Sequence, residues 1–230
     1  MEATVNPAGS YNYSWSVPAG FTNPGNVASF NSTIEGDYTV TITPINSLCN
    51  ADFEDYVIGS ASQQVSENLV PCWNTSASDN LIEIWQTGTV PAYLGNQFIE
   101  INATTAGTLS QDNIALTSGT ELEISFAHRG RSGIDVVKVL IGPVGGPFVT
   151  LGIFSTNNTA WAYYSTFYTV PATGNYSLQF QSVSSTGGAS YGNFLDAISI
   201  TLKDCPIAPA TGSLVVNNTP SANISVTSTL

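Results

Sequence analysis

Residues 48–204 show no helical periodicity. Short strand-like runs recur instead, at 81–85, 97–102, 121–128, 134–141, 148–154, 161–169, 175–183 and 193–202. Turn chemistry separates them: Thr87-Gly88, Ser118-Gly119, Ser132-Gly133, Gly145-Gly146-Pro147, Thr173-Gly174-Asn175 and Gly187-Gly188. A chain punctuated this often cannot build helices long enough to pack. Eight antiparallel strands over this length predict an all-β fold, a jelly-roll β-sandwich.

The flanks read differently, which divides the chain into 1–47, 48–205 and 206–230. The head carries three strand-like runs, Tyr11–Val17, Val27–Phe30 and Gly36–Thr43, with turns at Pro18-Ala19-Gly20 and Asn23-Pro24-Gly25-Asn26. The order Trp15-x-Val17-Pro18, Val27-x-x-Phe30, Gly36-x-Tyr38-x-Val40-x-Ile42 resembles the second half of a PKD-like or Ig-like module of large bacterial surface proteins. So few strands cannot bury an independent core, and this partial module needs a partner. The tail offers Ser213–Val216 and Asn223–Thr227. These runs read as the opening strands of a following Ig-like module, or as strands that complete the head of a neighbouring copy. An arbitrary boundary followed by a plain tail is the simpler alternative.

Composition narrows the function. Charged residues make up 9% of the chain, against a usual quarter, and the net charge is −12. Ser, Thr, Asn and Gly fill the solvent faces in their place, the profile of a secreted or cell-surface β protein. Nucleic acid is excluded as a partner, because phosphate binding needs a larger basic patch. No signal peptide, lipidation motif or membrane-spanning run is present, so no membrane insertion is expected, and the start at Met1 reads as a boundary inside a larger protein. Three cysteines, Cys49, Cys72 and Cys205, lack metal-ligand spacing.

Three of the five side chains able to carry positive charge fall within four residues, His128-Arg129-Gly130-Arg131. Solubility does not require cations on so acidic a protein, so the cluster closes a structural ion pair or binds something. Alternation along 121–128 places Leu122, Ile124 and Phe126 inward, Arg129 and Arg131 outward, and His128 inward. The same reasoning on 81–85 and 97–102 puts Glu83, Trp85, Phe98, Glu100 and Asn102 outward. If these strands share a sheet, one face collects Glu83, Trp85, Glu100, Asn102, Arg129 and Arg131. An aromatic ring flanked by carboxylates, an amide and guanidinium is what sugar recognition needs. The candidate ligand-binding residues are these six and His128. The opposing reading has Trp85 covered by the 87–95 loop and the acids paired with the arginines. No Ser-His-Asp order, nucleophile elbow or phosphate loop appears, and nothing marks an acid–base division between Glu83 and Glu100, so the chain reads as not an enzyme.

A family resemblance runs the length of 50–202. It is carried by Asn50-Ala51-Asp52-Phe53-Glu54, Val70-Pro71-Cys72-Trp73, Ile82-Glu83-Ile84-Trp85, Gly95–Asn102, Leu109-Ser110-Gln111, Phe126–Arg131 and Gly192–Ile198. In this order they resemble the galactose-binding-like, carbohydrate-binding-module jelly rolls of bacterial (Bacteroidetes-type) surface adhesins, including DUF642-type domains. The family's turn before Trp73 normally carries Gly where this chain has Cys72. The resemblance implies a non-catalytic binding or adhesion module, lectin-like, whose partner is a glycan or cell-surface polysaccharide. It also implies a Ca²⁺ site where the first and last strands meet, matching Glu54 and Asp196, with Asp52 as an alternate. In such a fold the ends meet, which makes Cys49–Cys205 the expected disulfide; Cys49–Cys72 is the alternative. The competing functional class is a structural spacer or filament subunit assembled through Ig-like strand complementation between copies.

Overall fold

The computed structural model describes residues 1–6, 11–44, 48–203, 210–214 and 225–229. Its strands are β1 (Glu2–Asn6), β2 (Tyr11–Ser16), β3 (Gly36–Pro44), β4 (Ser62–Ser66), β5 (Trp73–Thr75), β6 (Leu81–Gln86), β7 (Gln97–Glu100) and β8 (Thr108–Leu116). They continue with β9 (Glu121–Arg129), β10 (Asp135–Pro143), β11 (Val149–Thr156), β12 (Ala162–Thr169), β13 (Gly174–Ser185) and β14 (Phe194–Leu202). The tail adds β15 (Ala210–Leu214) and β16 (Ser225–Thr229). A single 3-10 turn, Glu67–Leu69, is the one helical element among the described residues.

The chain divides into two compact units, one made of Met1–Ile45 with Leu202–Leu230 and the other of Asn46–Thr201. In the first, both tail strands pair with head strands of the same chain: β15 lies antiparallel to β3, and β16 parallel to β1. The tail thus supplies the partner that the short head requires. A small core forms around Trp15, Tyr38, Val40 and Ile42, with Phe21 and Phe30 packed against it. The indole of Trp15 donates to the carbonyl of Val27 at 2.8 Å. That run, expected as a strand at 27–30, makes only an isolated bridge, Glu2 to Ser29.

The second unit is a jelly-roll β-sandwich. One sheet has the order β12-β9-β14-β7-β6-β4 and the other β11-β10-β13-β8-β5. Ile82, Ile84, Ile99, Ile124 and Phe126 from the first sheet are buried, as are Leu109, Val137, Val139, Leu178 and Phe180 from the second. Contact between the layers is direct, with the Phe126 and Phe180 rings edge to face at 5.2 Å. Each such side chain contributes about 1.5–3 kcal/mol by leaving water. Below the core, Gln97 pins the 53–58 loop: its Oε1 accepts from the Ile58 N–H, and its Nε2 donates to the carbonyls of Phe53 and Tyr56.

The cysteine pairing corrects the expected one. Cys49 bonds to Cys72, 23 residues away, not to Cys205, which lies outside the described residues. The reason is local. Cys72 has a φ of 69°, in the left-handed region that glycine enters freely. Its backbone has adopted the glycine conformation, which brings its sulfur to Cys49. The Gln111 amide brackets that partner, accepting from the Cys49 N–H at 2.8 Å and donating to its carbonyl at 2.9 Å. Beside them Trp73 is buried and donates to the Asn50 carbonyl at 2.9 Å. Closing this loop is worth about 3 kcal/mol on loop entropy. The double variant Cys49→Ser/Cys72→Ser should therefore lose about 2–4 kcal/mol in urea unfolding, with the slope of the transition little changed. A loss under 0.5 kcal/mol would show that the tie contributes nothing.

Candidate functional site

Alternation on two neighbouring strands builds the site. In β6, Ile82 and Ile84 enter the core, which turns Glu83 and Trp85 to the other face of the sheet. In β7, Ile99 enters the core, which turns out Phe98 and Glu100. The antiparallel register sets Glu83 directly opposite Glu100 and Trp85 opposite Phe98, and on the far side of β7 sets Phe194 of β14 opposite Glu100. This is the face expected from sequence for Glu83, Trp85 and Glu100.

Arg131 reaches it from just past the end of β9. Its Nη1 donates to both carboxylate oxygens of Glu100, at 2.9 and 3.1 Å. The guanidinium lies between two rings, 4.5 Å from the Trp85 centroid and 3.3 Å from that of Tyr191, a doubled cation–π contact. Glu100 also accepts from the Trp85 indole N–H at 3.0 Å and from the backbone N–H of Gly192. Burial pushes the Glu100 carboxyl up to about 7, against the pull of the Gly192 N–H and Arg131. Burial raises Glu83 too, against the attraction of Arg131. The charge of Glu83, directly across the strand pair, also raises Glu100.

A buried carboxylate sets the loops that carry Arg131 and Tyr191. Asp135 is fully buried at the start of β10. Its Oδ2 accepts from the backbone N–H groups of Arg131 and Asn193, and its Oδ1 from that of Thr186, all at 2.9 Å. The two loops are thereby tied to one residue. At Gly192, φ is 124° and an added Cβ would collide with that carboxylate, so only glycine fits.

The result is an open cleft of about 470 Å³. Trp85, Arg131, Tyr191 and Phe194 form one side, Gln86 to Val90 another, and Gly59 to Ala61 close it. Trp85 is half-buried and lines it. The 87–96 loop covers the middle of the sheet face instead. Its Tyr93 stacks on Tyr163 at 5.5 Å, and its Pro91 carbonyl accepts from the Trp161 indole. Phe98 and Phe194 are fully buried beneath these rings.

Of the seven sequence-expected ligand residues only Trp85 and Arg131 line the cleft; Glu83 and Glu100 are buried behind them, and the other three stand apart. His128 faces inward as its alternation requires and is fully buried, bonded to Thr156 through Nδ1 and to Asn193 through Nε2. Burial drives its pKa down to about 4, so it stands neutral and offers no atom to a ligand. Asn102, expected on the outer face, lies beyond the end of β7, because the strand stops at Glu100. There it is buried, donating to the Ala189 carbonyl and accepting from Asn193. Arg129 donates to the Asn158 carbonyl at 2.6 Å and does not line the cleft. Tyr191 was missed from sequence. The signal available was its place between the Gly187-Gly188 turn and Gly192.

Of the three acids expected at calcium, Glu54 and Asp196 are close enough for the charge of one to act on the other. Glu54 Oε1 accepts from the backbone N–H groups of Asn96 and Gln97, at 2.5 and 2.7 Å. Asp196 is fully buried; its Oδ2 accepts from Tyr93 and Leu94 and its Oδ1 from Ala197. Burial, with the charge of Glu54 adding to it, pushes Asp196 up to about 7. Asn50, Phe53 and Ala197 nearby all have left-handed backbones, with φ of 45–59°. Asp52 lines a separate hollow of about 440 Å³ with Asp55. Carboxylate oxygens are the hard donors that Ca²⁺ takes, and here Asp196 is fully buried and Glu54 half-buried. Among the described residues no three His, Cys, Asp or Glu side chains converge.

No known protein family description matches the chain, and no curated protein does. Among solved structures, TmCBM61 in complex with β-1,4-galactotriose aligns with a TM-score of 0.46 at 16% identity, over 69% of this chain and 99% of that one. The CBM22-2 xylan-binding domain of Paenibacillus barcinonensis Xyn10C aligns at 0.46 and 14%, over 66% and 98%. The N-terminal cellulose-binding domain of Cellulomonas fimi β-1,4-glucanase C aligns at 0.41 and 15%, over 57% and 88%.

The raised carboxyl of Glu100 gives a pH dependence with a definite sign. Its folded value, about 7, lies above its ordinary 4.5. The stability it supports is therefore complete below about pH 4.5 and is lost as pH rises through 7. In chelator, the unfolding free energy should fall by on the order of 1–3 kcal/mol between pH 4.5 and 8, and Glu100→Gln should flatten that fall. An equal slope in the variant would remove Glu100 as its source.

Proposed function

We propose that the 48–205 unit is a non-catalytic glycan-binding module of a secreted or cell-surface protein, stabilised by calcium. One observation carries the reading: an open cleft of about 470 Å³ in which Trp85 and Tyr191 meet a fixed guanidinium, the Gln86 amide and the Ser60 and Thr87 hydroxyls. Aromatic surface suits the C–H faces of a sugar, and oriented donors and acceptors suit its hydroxyls. The carboxyl pair argues against hydrolysis. Glycosidase acids flank the substrate, about 5–5.5 or 6.5–9.5 Å apart, whereas Glu83 and Glu100 are both buried and neither lines the cleft. The disulfide supports an oxidising compartment, and no helix of the described residues is long and apolar enough to cross a membrane. Calcium would be held by Glu54 and Asp196 and would tie the start of the unit to its last strand.

A glycan array probed with calcium and with chelator tests both parts. Binding should appear with calcium and fall at least tenfold in Trp85→Ala. Thermal unfolding of the wild type should rise several degrees with calcium, and Asp196→Asn should abolish that rise. A folded protein that binds no glycan sinks the first part; a midpoint indifferent to calcium sinks the second.

A second reading, a filament subunit or spacer, is favoured by the tail strands β15 and β16 pairing with the head. Such pairing is open to exchange between copies, as in domain swapping. Sedimentation over a hundredfold concentration range checks it, since a strictly monomeric chain would exclude exchange.

A further inference from the structure

Behind the wall of the cleft lies a charge balance that bears on which glycans can enter. Glu83 and Glu100 stand directly opposite each other on adjacent strands, both buried. Like charges at such cross-strand positions disfavour each other. Arg131 is the cation acting on both. Two carboxylates thus face one guanidinium behind the cleft wall, a surplus of one negative charge when all are ionised. No other basic residue lines the cleft, and the chain as a whole carries −12.

The accessibility of Arg131 adds to this. Trp85 and Tyr191 close the two faces of its guanidinium, Glu100 takes Nη1 through both oxygens, and the side chain retains 19% of its exposure. Glu100 holds Nη1, so a carboxylate or sulfate on an incoming sugar would reach only the remaining rim and would share with Glu100 a cation that already faces two acids. It would also approach through the field of two carboxylates in a medium of low dielectric. A neutral sugar meets neither cost. Its hydroxyls need only the rim of the guanidinium, the Gln86 amide and nearby hydroxyls.

Resting on the glycan-binding reading, the geometry points to a cleft selective for uncharged glycans, with Glu83 and Glu100 as the residues that exclude uronate-bearing and sulfated ones. The test is calorimetric titration of the whole chain at pH 8, above the value of about 7 to which burial pushes Glu100. The probes are neutral gluco-, galacto- and manno-hexaoses and the same hexaoses oxidised at C6 to uronates. The expected result is at least tenfold tighter binding of a neutral hexaose than of its oxidised form. Raising salt from 50 to 500 mM should shrink that ratio by screening the repulsion. Glu83→Gln should shrink it as well, and the salt series tests the idea without any substitution. Equal or tighter binding of the uronate, or uronate binding that weakens with salt, overturns the inference while leaving the glycan-binding reading intact. Binding of neither class overturns both.

Discussion

The jelly-roll unit turns on Asp135. A fully buried carboxylate whose named partners are the backbone N–H groups of Arg131, Thr186 and Asn193 is an internal template for two loops. Asn193 extends the template, accepting from His128 and donating to Asn102, Ser182 and the Ser184 carbonyl. Satisfied buried networks of this kind fix a single arrangement, because any alternative leaves polar groups without partners. Arg131, Tyr191 and the Gly192 N–H owe their positions to it. The cleft is thus organised from beneath, by residues no ligand would touch.

Much of this was legible in the sequence. All eight strand-like runs of the central region became strands, because alternation and turn chemistry agree there. Three strands escaped notice, and the longest shows why. β8 reads Thr-Leu-Ser-Gln-Asp-Asn-Ile-Ala-Leu, and the polar middle masks its period. Asn113 adopts a φ of 61° and the pairing with β13 shifts register between Tyr176 and Leu178, so one bulge breaks the alternation that would have revealed it. Half of the candidate site was legible for the same reason that the strands were. Glu83, Trp85 and Glu100 follow from a period of two. Tyr191 and the role of Asp135 depend on loops, where periodicity says nothing.

The arginine cluster divides by geometry. Arg129 and Arg131, two residues apart, find different partners because β9 ends between them. His128, the third member, serves the core. A local concentration of charge in sequence became one cleft residue, one loop tie and one buried hydrogen-bonding node. Proximity in the chain carried less information than strand parity.

The 87–96 loop has a further consequence. It covers the outer face of the sheet with Tyr93 against Tyr163 and Trp161, above buried Phe98 and Phe194, and two of its N–H groups are held by Asp196. The unit therefore has a second, smaller hydrophobic layer outside its sandwich, roofed by a connection without regular structure. Surface loops ordinarily drift in length and sequence among relatives. This one cannot, since an insertion or deletion would unroof aromatic surface. The constraint falls on Pro91, Tyr93 and Leu94, which make these contacts while remaining largely exposed themselves. The start of the same loop, Thr87 to Val90, lines the cleft, so one connection both roofs the aromatic layer and bounds the site.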